Sequence, residues 1–275
     1  MASRPLFSAP SRLAIYARLA RSRIRGQTQY RLSFALQLVG TFLFTFLDFV
    51  AILVIFTHVK QLGTWSFPQI AFLYGSSYMT FKLADLVMTN LDRLPLLIRM
   101  GTFDQMLTRP LGTLGQVMTS DLGIRQLAAV AQGGVVFAYS LTRLSIQWTP
   151  LRAVVFAEML AGGFLIFCSL FVATNVIAFW IMDAREIANS FTYGGQMMTQ
   201  YPMNIFGLWF RRLLGFAIPL AFVNYFPTLY VLGKNDPLHS PHVLRFMSAP
   251  IALACLVVTR GVWRTAIRRY RSTGS

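Results

Sequence analysis

The sequence predicts an all-α, polytopic membrane protein with about six transmembrane helices and an N-terminal interfacial amphipathic helix. Three observations carry that prediction. Of 275 residues, 55% are hydrophobic and 12% charged, about half the roughly 25% of charge in a soluble domain. The apolar residues gather in runs long enough to cross about 30 Å of hydrocarbon. The basic residues lie between those runs, concentrated on alternate connections. A soluble chain this apolar could not cover its surface with polar groups, whereas in lipid the apolar side chains face hydrocarbon. Cys168 and Cys255 both lie in apolar runs, so neither a disulfide framework nor a zinc pattern is expected. A net charge of +16 would point to nucleic acid on a soluble fold; between spans it reads as topology, and no nucleic-acid partner is expected. An arginine-rich start followed by a span too long for an h-region predicts no cleavable signal peptide.

Residues 11–25 place Leu13, Tyr16, Ala17, Ala20 and Ile24 on one helical face, with Arg18, Arg21 and Arg25 opposite. Such a helix before a span is expected in the cytoplasmic headgroup plane, stopping near Gly26. This gives a cytoplasmic amphipathic segment over 1–31, a transmembrane domain over 32–267 and a cytoplasmic tail over 268–275. The first span is expected from Leu32 to Val59. A short loop with Gly63 and Pro68 leads to the second, about Ile70 to Leu91. A polar segment from Asp92 to Asp121 follows, carrying Arg93, Arg99, Arg109, Pro95 and Pro110. The third span is read from about Ile124 to Leu141 and the fourth from about Ala153 to Met182. After Asp183 the stretch Glu186–Phe210 is apolar but broken by Gly194, Gly195 and Pro202, and Leu213–Leu232 contains Pro219 and Pro227. The last span runs from about Phe246 to Val262.

Sorted on this map, 19 basic residues fall on the presumed cytoplasmic side and five on the other, with Lys82 inside a span. That bias puts both termini in the cytoplasm with six crossings, and the expected location is a bacterial inner (plasma) membrane. Two readings of the fifth crossing stay open. In one, Arg211-Arg212 are cytoplasmic, Leu213–Leu232 crosses, and 186–210 is a cytoplasmic-side or re-entrant helix. In the other, the crossing starts near Met203 and the Pro219–Pro227 stretch is an outer re-entrant hairpin. Arginines in mid-span cost about 2.5–3.5 kcal/mol each on insertion scales, which favours the first.

The chain has no phosphate-binding loop. Its Gly233-Lys234 pair is followed by Asn235, with Thr228 where a glycine is needed, and neither a nucleophile elbow nor a zinc-protease or kinase motif occurs. No ATPase or other enzymatic site and no cofactor is therefore expected on this chain. His239 and His242 flank Pro241 beside Asp236 but lack a third fixed ligand, so no metal site is assigned. The charges inside spans are more informative. Asp48 falls near the middle of the first span, and a lone carboxylate there must face a bundle interior, a partner or water. Lys82 and Asp85, three apart on one helical face, can neutralise each other as a packing pair. Asp48, Lys82 and Asp85 are the candidate substrate-path residues, Asp48 foremost and favouring cationic compounds. An ion- or proton-coupled secondary carrier using Asp48 and Asp85 is the alternative function, though no internal repeat accompanies it.

The stretch Gly101-x-Phe103-Asp104-x-x-Leu107-x-Arg109-Pro110-Leu111 resembles the signature of type-2 ATP-binding cassette (ABC) exporter permeases, closest to the small permeases that work in pairs. Tyr201-Pro202, Ile218-Pro219-Leu220-Ala221-Phe222 and Tyr225-Phe226-Pro227 are similar to that family's second signature, and Arg269–Ser275 to its common ending. The resemblance implies a six-span permease subunit that moves a small amphipathic or drug-like substrate out of the cell, as in multidrug efflux. It also implies a second permease, identical or homologous, and separate ABC ATPase subunits that bind ATP and Mg. Coupling would run through the loop between the second and third spans. Gly101, Phe103, Asp104, Leu107, Arg109 and Pro110 are then the ATPase-coupling set. Phe103 and Leu107, four apart on a short helix, would dock into the ATPase, with Asp104 and Arg109 orienting it.

Overall fold

The computed structural model describes residues 12–29, 31–181 and 185–270. The start of the 1–31 segment, Asp183 and the 271–275 ending lie outside the described residues, as do the side chains of Leu13, Leu214 and Phe216. The chain is a helical bundle. In order, α1 is Arg12–Gln27, α2 Arg31–His58, α3 Phe67–Met88, α4 Leu94–Arg99, α5 Thr102–Leu107 and α6 Thr113–Ser120. Then come α7 Gln126–Arg143, α8 Pro150–Asn175, α9 Arg185–Thr199, α10 Leu208–Arg212, α11 Tyr225–Val231 and α12 Ser248–Arg269. Among the described residues, three helices are long and apolar enough to cross a membrane: α2, α8 with its 3-10 extension to Phe179, and α12.

The bundle is built around α3. Nearly every residue from Ile70 to Phe81 is buried, because α7, α8 and α9 pack around it and α2 touches it through Phe49. A helix shielded by protein on all sides need not be uniformly apolar, and α3 carries Ser76, Ser77, Thr80 and Asp85 in its buried set. Its start is fixed by Pro68 in the first turn and by Gln69, whose Oε1 accepts the Ser66 N–H at 3.1 Å. Against α7 the helix axes approach closely. A Cβ on Gly75 would stand 2.6 Å from the Phe137 backbone nitrogen, and one on Gly133 3.0 Å from that of Met79, a small-residue crossing of the kind membrane helices use. Helix α2 is attached by one seam, Thr45, Phe49 and Ile52. The Phe49 ring meets Phe67 and Tyr74, and most of its remaining apolar surface is open.

The region after α8 corrects the sequence reading. Tyr193 of α9 donates to Asp92 Oδ2 at 3.0 Å, at one end of α3, while Trp65 at the other end donates to Asn204 Oδ1 at 3.1 Å. Residues 185–205 therefore run the length of α3, and the segment traversing the bundle ends near Met203 instead of beginning there or at Leu213. Arg211 donates to the carbonyls of Phe206 and Asn204, which places it at the Trp65 end. Arg211 and Arg212 thus leave the basic-rich end, and the 19-to-5 bias becomes 17 to seven. The arginines misled because a pair beside a proline-broken segment can sit at either interface, and their burial is not written in hydropathy.

Residues 208–232 leave from the Trp65 end and return to it. Helix α10 widens into a π turn over Leu213–Ala217 and stops at Pro219, which lacks the N–H a helix needs. The apolar stretch Leu220–Val231 that follows spans only about 18 Å at 1.5 Å per residue. Asn224 at its elbow donates to Leu73 O at 2.9 Å and Thr199 O at 2.8 Å, satisfying carbonyls near the end of α9. Lys234 then reaches Thr64 O at 2.6 Å. A hairpin over Pro219–Pro227, one half of the second reading, is thus present.

Candidate coupling face and buried charge cluster

The Asp92 end of α3 continues into three short helices. Pro95 sits in the first turn of α4, where a missing N–H costs nothing. Gly101 turns the chain with φ of 66°, a left-handed conformation that a side chain would disfavour. The turn around Pro110 ends α5 and leads into α6. Gln116 of α6 ties this unit together, donating to Met106 O at 2.9 Å and Leu111 O at 3.1 Å. Asn90 donates to Val117 O at 2.8 Å, Arg93 pairs with Asp121 at 2.7 Å, and Trp263 of α12 donates to Thr113 at 3.3 Å. Helix α1 lies on the outside of α6, with Tyr16 OH donating to Gly112 O at 3.2 Å and Gln27 to Asp121 at 2.7 Å.

Phe103 and Leu107 part company. Phe103 is wholly buried, its ring edge-on to Phe179 and Tyr270, each with centroids 5.3 Å apart. It anchors the coupling helices to α8 and to the end of α12, so it is no surface knob. The four-residue spacing misled because Met106, three residues on, shares the inward face with Phe103, and α5 is too short to bury a fuller stripe. Leu107 is 38% exposed, beside Leu96 at 50% and Met100 at 67%; Arg99, Arg109 and Pro110 are exposed too. Asp104 lies within electrostatic reach of the Tyr270 hydroxyl, whose pKa is pushed up to about 12 by burial and by that carboxylate. Sequence reasoning missed Leu96, Met100, Gln116 and Tyr270, since no spacing relates them before the chain has turned at Gly101.

Inside the bundle, Lys82 Nζ and Asp85 Oδ2 form an ion pair at 3.3 Å, Asp85 being almost completely buried. Thr89 also donates to Asp85 Oδ1, at 3.1 Å. The ammonium lies 5.3–5.7 Å from the ring centroids of Phe81, Tyr78 and Tyr193, an aromatic cage that attracts a cation. Asp48 is on the open face of α2 within electrostatic reach of Lys82. The structure thus joins Lys82 to Asp85 and leaves Asp48 facing outward from the chain. Asp92, read from sequence as a loop residue, is a half-buried junction. Its carboxylate accepts from Asn175 of α8 and Tyr193 of α9, both at 3.0 Å. Burial raises its pKa, against the pull of those two hydrogen bonds.

At the opposite end Asp236 organises its loop. Burial pushes its pKa up, but donation from Ser240, the Leu238 N–H, Tyr225 and the Ser240 N–H outweighs that and holds it below the usual value. All of these donors are groups of the loop or of α11, which gives the carboxylate a structural task beside His239 and His242.

Comparison with known proteins gives one match: the family model described as ABC-2 family transporter protein, over residues 42–274. No curated protein and no solved structure matches the chain.

Proposed function

This chain belongs to the ABC-2 family of transporter proteins, and from that premise we propose that it is the permease subunit of an exporter powered by a separate ATPase. The membership makes it the membrane component of an ABC transporter, a class that carries no ATPase domain of its own and associates with an ABC ATPase. The finer reading concerns where the ATPase sits and what is moved. The observation that supports it is the face at the Asp92 end. Leu96, Met100 and Leu107 expose apolar surface there beside Arg99 and Arg109, on helices braced by Gln116, Phe103 and Asp104. Large apolar side chains on a braced helix, rimmed by basic ones, are what a helix-in-groove contact with a soluble subunit requires. The family signature from Gly101 to Leu111 runs through this face, so Gly101 and Pro110 shape it and Phe103 anchors it from behind.

ATP and Mg belong, in this reading, to the partner ATPase, and the membrane is the bacterial inner membrane with both termini in the cytoplasm. A second permease, identical or homologous, covers open apolar helix surface. The cargo is a small amphipathic or drug-like compound, with Asp48 on the outward face of α2 contributing to its route. Lys82 and Asp85 support that route indirectly, as a neutral pair holding α3 in place. The secondary-carrier alternative draws no support from the geometry, because Asp85 is engaged by Lys82 and Thr89.

The test is ATP hydrolysis by the full-length chain purified from native membranes. Co-purified with its partner, the preparation should hydrolyse ATP, and the chain freed of partner should not. Leu96→Asp combined with Leu107→Asp should remove the co-purifying ATPase while leaving the folded chain in the membrane. Hydrolysis by the isolated chain at a transporter-like rate would defeat the proposal.

A further inference from the structure

We infer that the hollow between α1 and the coupling helices binds the phosphodiester head of an anionic phospholipid. The hollow has a volume of about 660 Å³ and is lined by Arg23 of α1, Arg93 beyond α3 and Arg109 beyond α5. Asp121 is the one carboxylate in that lining, and it is already matched by Arg93 at 2.7 Å and by donation from Gln27. The side chains of Arg23 and Arg109 have no hydrogen bond or ion pair among the described residues. Three guanidiniums against one carboxylate leave positive charge in a concave site. Guanidinium groups pair with phosphate oxygens through two parallel hydrogen bonds. An adjoining hollow of about 250 Å³ shares the Arg93–Asp121 wall and adds Arg125, so the basic lining continues toward the start of α2.

The rest of the lining selects a lipid over a free anion. Leu19, Leu96 and Met106 form an apolar side of the same hollow, which inorganic phosphate would leave unused and a glycerol backbone with the start of an acyl chain would cover. Depth agrees. Helix α1 leads directly into α2, whose open apolar surface begins at Leu32, so the hollow lies where headgroups meet hydrocarbon. A phospholipid seated there touches α1 and the coupling helices together. It would clamp one on the other.

Binding is measured on the purified full-length chain in neutral detergent, with no ATPase present, so its failure would leave the permease assignment standing. The probes are short-chain phosphatidylglycerol, phosphatidylcholine of the same chain length, and inorganic phosphate. Phosphatidylglycerol should bind in preference to phosphatidylcholine. Arg23→Gln, an exposed change that the fold tolerates, should weaken phosphatidylglycerol about fivefold, in line with the attraction per basic residue near an anionic surface, and leave phosphatidylcholine unchanged. Asp121→Asn, which removes the negative charge and keeps one of the two acceptor oxygens that Arg93 and Gln27 use, should tighten phosphatidylglycerol by a similar factor. Equal binding of the two lipids, or indifference of phosphatidylglycerol to both substitutions, would overturn the inference. So would inorganic phosphate that binds with the same arginine dependence while phosphatidylglycerol shows no advantage over phosphatidylcholine; the site would then be one for free anions.

Discussion

Gly75 and Gly133 set how closely α3 and α7 approach, and their effect can be separated from glycine's general cost in a helix. At Gly75 an added methyl meets the Phe137 backbone at 2.6 Å, and backbone cannot swing aside as a side-chain tip can. Gly194, in α9, has nothing within 4 Å of such a methyl. Gly75→Ala should therefore destabilise the chain by about 1–3 kcal/mol, the usual range for overpacking. Gly194→Ala should be neutral or gain up to about 1 kcal/mol from helix propensity. Thermal unfolding in one detergent checks both, and equal effects at the two positions would mean that the α3–α7 contact does not depend on that close approach. A similar split between neighbours explains the coupling set: Phe103 and Leu107 share a signature, yet one is a buried strut and the other is surface.

At the scale of elements, what was legible follows from what hydropathy measures. The spans read at Leu32, Ile70, Ile124 and Ala153 each coincide with a helix, as does the last one, although α3 and α7 fall short of the long, apolar standard. For α3 the reason is that protein, in place of lipid, surrounds it. The N-terminal amphipathic helix was legible from its arginine face, but its seat against α6 was not, since that depends on Tyr16 meeting Gly112 across 96 residues. Helix α9 was hidden for a different reason. Its inward face is Ala188, Thr192, Gly195, Gln196 and Thr199, small and polar residues that pack on α3 and α8 and contribute little apolar signal. With Cys168 and Cys255 replaced by alanine, Glu186→Cys and Ile205→Cys should be labelled by an impermeant thiol reagent from opposite sides of sealed vesicles. Labelling from the same side would show that 185–205 does not cross.

For the whole molecule, composition and the Gly101–Leu111 signature led to the class before any coordinates, and the family match over residues 42–274 agrees. A protein-wrapped α3 leads through a 3-10 turn to Asp92, where α8 and α9 meet it through Asn175 and Tyr193, and on into the braced short helices. Movement of those helices is thereby linked through hydrogen bonds to three long elements at once. That linkage was not readable from the sequence, because Asp92, Asn175 and Tyr193 are separated by up to 101 residues and belong to no motif. The substitutions at Leu96 and Leu107 probe the exposed side of the linkage, and its partner can be caught in place. A single cysteine at Leu107, in the chain lacking Cys168 and Cys255, is cross-linked in native membranes, and a control cysteine at Val243 marks the opposite end. The account predicts an adduct between position 107 and an ATP-hydrolysing ABC subunit, absent from position 243. No adduct with any such subunit from position 107, or the same adducts from both positions, would contradict it.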